Sequence, residues 1–413
     1  MTRTFLTGAV AKRLVTASVL TALLLSTAAT ASRAATSQAA APITVGFSVS
    51  LSGDFSGDGK ATLQGYRLWA NYTNSHGGLL GRKVKLIYYD DNSSTTQVTT
   101  NYTKLMTQDK VDLAFGPFSS LLTIPAAQVA RRYGYAFLGP AGGGPSVFQQ
   151  GFHNYFFVQP APVQDNLVSF AHWILNMPKS KRPKTAAYLT LVDPFAQPEV
   201  ETARSVLQRG GVKTVYSTVI PAEATDFSSE ALQAVHSKAD IVLVGSPGMN
   251  LSVALIHTFI QQHYNPKAYV ATSGPDQGSQ YANAIGAKNT EGTMVPEGWW
   301  SGEKSFQNKV FVRAYLHTYG GKASGISQDT PEAFSVGQVI TQAVKRTHSL
   351  NNARLINYLH NHSFKTVQGP MRWNSKGEPL GSMFLVQWQH GNTYPVYPKR
   401  FAVRSPEYPK AKW

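Results

Sequence analysis

The chain of 413 residues carries 38 Lys and Arg against 22 Asp and Glu, a formal charge of +16, and no cysteine. It can therefore form neither disulfides nor thiolate metal sites, and its stability has to come from buried apolar surface, for which this length provides two domains. The basic residues never run to five in a row, and the densest basic stretch, 399–412, is broken by prolines, so no nucleic-acid partner is expected.

Residues 1–40 read as an export leader. Arg3, Lys12 and Arg13 precede an apolar run over 14–25, and small residues over 31–41 offer a cleavage site. Removing these residues, Arg33 included, takes the charge from +16 to +12. No later segment has the apolar length of a membrane span, and without a cysteine no lipid anchor is available. A periplasmic or otherwise extracytoplasmic protein is expected.

From residue 43 the periodicity alternates. Strands are predicted over 43–49, 84–89, 111–115 and 136–138, with helices over 61–75, 95–108 and 121–133. An extended stretch with two prolines, 156–162, interrupts the rhythm, which then restarts. Helices are predicted over 163–177, 196–209, 226–237 and up to 262, and strands over 185–191, 212–220, 241–245 and 268–272. Three more helices (306–318, 331–347 and 353–361), a Gly/Trp-punctuated hairpin over 369–377 and a strand over 383–388 complete the chain. Two runs of βα units imply an α/β fold with two doubly wound parallel-sheet lobes, whose ligands bind beyond the carboxyl ends of the strands.

The most informative of these turns runs from Phe115 to Ala126. A strand there meets a helix through Phe118, Ser119 and Ser120. A helix N-terminus preceded by hydroxyls can hold a carboxylate on backbone N–H groups, although a plain helix cap explains the same residues. No chemistry of catalysis stands beside it. Val244-Gly245-Ser246-Pro247-Gly248 lacks the first glycine of a nucleophile elbow, the phosphate-loop and dinucleotide glycine patterns are missing, and the histidines are scattered. Asp90-Asp91 ends a strand and suits turn capping better than acid–base work. Neither an enzyme nor a cofactor or metal is expected.

Four stretches carry a resemblance: Val49-Ser50-Leu51-Ser52-Gly53 with Gly65; Asn74 to Asp91 around Gly77-Gly78-Leu79-Leu80-Gly81-Arg82; Gly116 to Ala126 with Gly139-Pro140-Ala141; and Gly369 to Gly377 with Val386-Gln387-Trp388. Together they resemble the leucine/isoleucine/valine-binding protein family, the type I periplasmic solute receptors of ABC transporters. The resemblance implies a three-segment hinge, with a first lobe from 42–159 plus 298–365, a second from 160–297 plus 366–400, and a basic tail over 401–413. It also implies a monomer that takes a small-molecule ligand and docks on an ABC permease.

The resemblance places the ligand carboxylate at Ser119 and Ser120. It places the ammonium between the loop at Gly142 and Gly143, where glycine replaces the expected hydroxyl, and Asp276, which also reads as an ordinary turn residue. Phe195 aligns with a covering aromatic. Phe118, Asp58 and one of the Trp299-Trp300 pair are further candidates, the tryptophan packing equally well at a hinge. A branched-chain type amino acid or similar small carboxylate is the implied ligand. Alternatives are an aromatic acid or amide within the same class, and a ligand sensor feeding a signalling partner.

Overall fold

The computed structural model describes residues 1–2 and 40–413. The expected export leader lies outside the described residues, apart from its first two and its last. All of the architecture below belongs to residues 42–413, one compact unit.

Short β-branched and aromatic runs make two sheets. In the first, β1 (Ile43–Val49), β2 (Val84–Asp90), β3 (Leu113–Phe115), β4 (Phe137–Gly139) and β5 (Tyr155–Phe157) run parallel in the order β2-β1-β3-β4-β5. In the second, β6 (Thr185–Leu191), β7 (Lys213–Ile220), β8 (Ile241–Gly245), β9 (Ala268–Ala271) and β10 (Thr293–Glu297) repeat the same order, β7-β6-β8-β9-β10. The small hairpin of β11 (Phe364–Thr366) and β12 (Gly369–Met371) stands apart. Two antiparallel strands, β13 (Phe384–Gln389) and β14 (Asn392–Tyr397), extend the second sheet beyond β10. Strand order reverses between β1 and β3 and between β6 and β8, so each lobe has its own switch point where a crevice opens.

The central strands of both sheets are near-continuously apolar because helices cover both faces, while the edge strands β2 and β7 are partly exposed. In the first lobe these are α1 (Ser56–Ser75), α2 (Thr95–Thr107), α3 (Ser120–Arg132) and the short α4 (Pro145–Gln149). In the second they are α5 (Val168–Leu175), α6 (Ala196–Arg209), α7 (Ser228–Ser237), α8 (Asn250–Gln261) and α9 (Ser279–Ile285). The chain then adds α10 (Asn308–Tyr319), α11 (Asp329–Thr347) and α12 (Asn352–Asn361).

Helix α11 lies against α1 with Trp69 as the central contact. Its indole fits over Gly337, where a Cβ would collide with the ring, and its Nε1 donates to Thr341 Oγ1 at 2.9 Å. Around it Phe47, Tyr66, Phe115 and Phe334 are fully buried, each worth roughly 1.5–3 kcal/mol of transfer free energy. This cluster fixes the N-terminal ends of α1 and α11 side by side.

The structure corrects the expected boundaries at two places. Phe364, Val367, Met371 and Trp373 belong to the same core as Phe47 and Trp69, and Trp373 Nε1 donates to Phe157 O at 2.5 Å. The chain thus stays with the first lobe through 373 and reaches the second sheet at β13, not at 366. The basic stretch over 401–413 is no free tail. Phe401 packs on Phe384, Trp413 on Tyr269, and the Glu407 N–H donates to Gln387 Oε1 at 2.8 Å.

Two of the chain crossings meet near Gly298, and the third joins them where the Gly381 N–H donates to Pro160 O at 2.8 Å. A Cβ on Gly298 would lie 2.6 Å from Pro160 Cδ and 3.0 Å from Gln368 Oε1, while Gln368 Nε2 donates to Val158 O at 3.0 Å.

Candidate functional site

A cleft opens beyond the carboxyl ends of both sheets, and nearly every residue that lines it follows the end of a strand or opens a helix. It encloses about 610 Å³ of atom-free space including its mouth, of which about 50 Å³ admits the centre of a water-sized sphere. The lobes are therefore nearly closed on each other. Gln277 of the second lobe donates through Nε2 to Asp58 Oδ1 of the first, and the Gln328 N–H donates to Asp276 O at 3.2 Å.

On the first lobe, β3 ends at Phe115 and the chain turns through Phe118 and Ser119 into α3. Ser119 is held at φ 70 and ψ 153, a backbone region that favours glycine. Its Oγ caps the helix by accepting from Leu122 N at 3.2 Å, while among the described residues the N–H groups of Ser120 and Leu121 have no acceptor. Both readings of this turn are thus present at once: a cap, and a seat of free N–H groups at a helix N-terminus.

Phe118 lines the cleft and packs on Phe55 with ring centroids 5.5 Å apart. The next loop follows β4. Gly142, at φ 91, lines the cleft, and a side chain there would strike Thr123. Tyr155 Oη donates to both Ala141 O at 2.9 Å and Gly142 O at 3.0 Å, so the loop is pinned from behind.

On the second lobe Asp193 Oδ1 accepts from Phe195 N and Ala196 N, each at 2.8 Å, and starts α6. That capping points the Phe195 ring across to the first lobe, where it packs against the core containing Leu122 and Phe157. Asp276 follows β9 and accepts from the Gly274 N–H at 2.6 Å. Its turn role is real, and the carboxyl also lines the cleft.

Six expected residues therefore meet here: Asp58, Phe118, Ser119, Gly142, Phe195 and Asp276. Three do not. Ser120 is fully buried and spends its Oγ on the Gly144 N–H at 2.9 Å. Gly143 faces the Phe157 ring. Trp299 sits in the first core, edge-on to Phe311, with Nε1 donating to Asn308 Oδ1 at 2.6 Å, and so takes the packing alternative. The Asp90 and Asp91 carboxylates serve the turn as expected. Asp91 accepts from Ser50 Oγ at 2.6 Å and Ser93 N at 3.0 Å.

The sequence reading missed three of the cleft's five acids. Glu297, the last residue of β10, and Asp329 and Glu332, in the first turn of α11, line the cleft with Asp58 and Asp276. Asp58, Asp329 and Glu332 come from the first lobe, Asp276 and Glu297 from the second. Among the described residues no Lys, Arg or His lines the cleft, although basic residues outnumber acids 38 to 22 in the chain.

Three of these acids sit where helix N-termini favour negative charge. Glu297 does not; the residue as a whole is 3% exposed, and its carboxylate has no hydrogen-bond partner among the described residues. Asn166, also 3% exposed, leaves its Oδ1 unpartnered at the same wall. Among the described residues no three acid or histidine side chains gather closely enough to hold a metal ion, so the carboxylates are spread along the cleft.

The acids raise one another's pKa. Burial first, then the charges of Asp329 and Asp276, push Asp58 well above the usual carboxyl range. Burial, then Asp276, Glu332 and Asp329, does the same to Glu297. Burial, then Asp329 and Asp276, raises Glu332, and burial with the charge of Asp276 raises Asp329. Asp276 is pushed up to about 6 by burial, the Gly274 N–H opposing the rise. At 4 Å and an effective dielectric of 20, two like charges repel by about 4 kcal/mol. Burial and mutual repulsion therefore favour protonated carboxyls in the cleft until a cation faces them.

A family model described as periplasmic binding protein matches residues 42–393. Over 361 residues the chain is 23% identical to an amino acid binding protein of Pseudomonas aeruginosa, covering 87% of this chain and 94% of that one. It is 25% identical over 386 residues to a Leu/Ile/Val-binding protein homolog of Brucella abortus, at 88% and 94% coverage.

Among solved structures, a leucine binding protein of Thermotoga maritima superposes with a TM-score of 0.74 at 16% identity, covering 86% of this chain and 98% of that one. The solute binding protein of an R. palustris ABC transporter, solved with benzoate, gives 0.74 at 17% identity, with 90% and 98% covered. The repeated sheet order, the cleft between the lobes and the span of the family match lead to one assignment: the chain belongs to the periplasmic binding protein family.

Proposed function

We propose that this protein is the extracytoplasmic receptor of an ABC importer, a monomer that captures a small amine-bearing solute between its lobes and presents it to a membrane permease. The observation that carries the reading is the two-sided lining of the cleft, joined across by the Asp58–Gln277 bond. A ligand that touches both lobes stabilises the closed form over the open one, which is what a docking permease can read. The turn at Ser119, which opens α3 at the cleft wall, seats an anionic group, Asp276 and its neighbours take a cationic one, and Phe118 and Phe195 cover the apolar part. No helix among the described residues is long and apolar enough to cross a membrane. The export leader read in residues 1–40 accounts for the location, with no lipid anchor.

The relatives named for amino acids support an amine-bearing ligand. The neighbour solved with benzoate supports an aromatic acid, and the two phenylalanines suit one, but five carboxylates without a base oppose a lone anion.

Small-angle scattering with a thermal melt tests the reading. A bound solute should shrink the radius of gyration, and at 100 times its dissociation constant add about 2.7 kcal/mol of stability. Failure of amino acids, amines and aromatic acids alike to change either quantity refutes it.

A further inference from the structure

The cleft's charge narrows the solute class, and the inference rests on the receptor reading above. We infer that the ligand carries two cationic nitrogens on an alkyl spine, held by carboxylates of both lobes: Asp58, Asp329 and Glu332 on one side, Asp276 and Glu297 on the other. The argument starts from composition. In a chain with 38 basic and 22 acidic residues, a lining of five acids and no base runs against chance. A zwitterion brings one ammonium to these five carboxyls and a dication brings two, so the dication compensates more of the charge in a site largely closed to water.

Helix-end preference accounts for Asp58, Asp329 and Glu332, but not for Glu297, which ends a strand, is almost fully buried, and is bonded to nothing. The unpartnered Asn166 Oδ1 adds a neutral acceptor at the same wall. Five carboxyls and an unpartnered amide oxygen, with no basic side chain among the described lining residues, suit an N–H-rich cation. Because the carboxylates are too dispersed to converge on one ion, the positive charge has to be distributed along the ligand. Phe118, Phe195 and Met383 supply the apolar surface that alkyl carbons between two ammonium groups require.

Two sources share this chemistry, a simple diamine and a dibasic amino acid whose carboxylate would use the turn at Ser119. Binding either should expel protons from the cleft, so affinity rises with pH. The groups facing the ligand are the five acids, with Glu199 and Asp193 behind Asn166 and no base among the lining residues.

The test is calorimetric titration of the full chain with putrescine, lysine, leucine, benzoate and calcium chloride at pH 5.5 and 8.0. Putrescine or lysine should bind, and at least about fourfold more tightly at pH 8.0, the factor expected from Asp276 alone with its pKa of about 6. Glu297→Gln should weaken that binding tenfold or more, and Asp329→Asn is the second variant should the first fail to fold. Binding of both probes, or of either alone, supports the inference and names the source. Leucine binding as tightly as lysine, with putrescine silent, overturns it while the receptor reading stands, and so does binding of benzoate alone. A response to calcium only overturns it as well. Silence of every probe overturns both.

Discussion

Replacing Asp276 with Asn tests the electrostatics of the empty cleft directly. Its carboxyl is half-buried in the cleft wall and moves from an ordinary 3.8 to about 6. Between those values the folded protein keeps a proton that the unfolded chain has released, so stability falls as pH rises through the interval and stays lower above it. Roughly two units at 1.36 kcal/mol each give a loss of about 3 kcal/mol above pH 7. Asparagine carries no charge and can still accept from the Gly274 N–H, so Asp276→Asn should recover that amount.

For a folded unit of roughly 370 residues, an unfolding entropy of about 2.1 cal/mol/K per residue converts 3 kcal/mol into a rise of about 4 °C in Tm. Melts of the unliganded protein should show the variant and the parent together at pH 4 and separated by pH 7. A variant that melts at or below the parent at pH 8, or a gap independent of pH, refutes the claim that the cleft's acids destabilise the empty receptor.

Two other substitutions address the scaffold. Ser119 combines a helix cap with a glycine-like backbone, so Ser119→Ala loses the cap and keeps the strain, whereas Ser119→Gly loses the cap and relieves it. Ser119→Ala should lie about 1 kcal/mol or more below Ser119→Gly in urea unfolding, and the opposite order contradicts the backbone assignment. Gly298→Ala places a Cβ against Pro160 and Gln368 and should cost about 1–3 kcal/mol. Parental stability in the same urea assay would mean that the crossings near Gly298 do not pack as described.

Among the parts of the site that follow their own strand, the hydroxyl turn at Ser119 was readable from local sequence, while Gly142, Phe195 and Asp276 came through the family resemblance. Phe118 and Ser119 sit in a turn whose hydroxyl and aromatic residues announce a strand-to-helix junction. Phe195 and Asp276 occupy the equivalent turns of the second lobe. Glu297 was hidden because Val295-Pro296-Glu297 reads as a crossover. Proline argues against an interior strand, yet β10 pairs with β9 on one side and β13 on the other. Asp329 and Glu332 look like any acids in a first helical turn, and only the packing of α11 on α1 brings them beside Asp58. The Trp299-Trp300 pair misled in the other direction, since a large ring near a hinge carries no sign of which side of the wall it faces. Strand β14 escaped notice because Pro395 interrupts it and its partner is antiparallel, outside the βα rhythm that organised the rest.

The division of the carboxylates, three on one lobe and two on the other, has a mechanical meaning. Ionised and empty, the two walls act as a compressed spring that pushes the jaws apart, and a bound dication turns the same walls into a latch. Closure thereby becomes a report of cargo, and a permease that recognises only the shut form would meet few vacant receptors and waste few cycles of hydrolysis. Protons slacken the spring as well. An acidic exterior would let unloaded receptors shut and compete for the transporter, so import through such a receptor should be throttled by acid even when cargo is abundant.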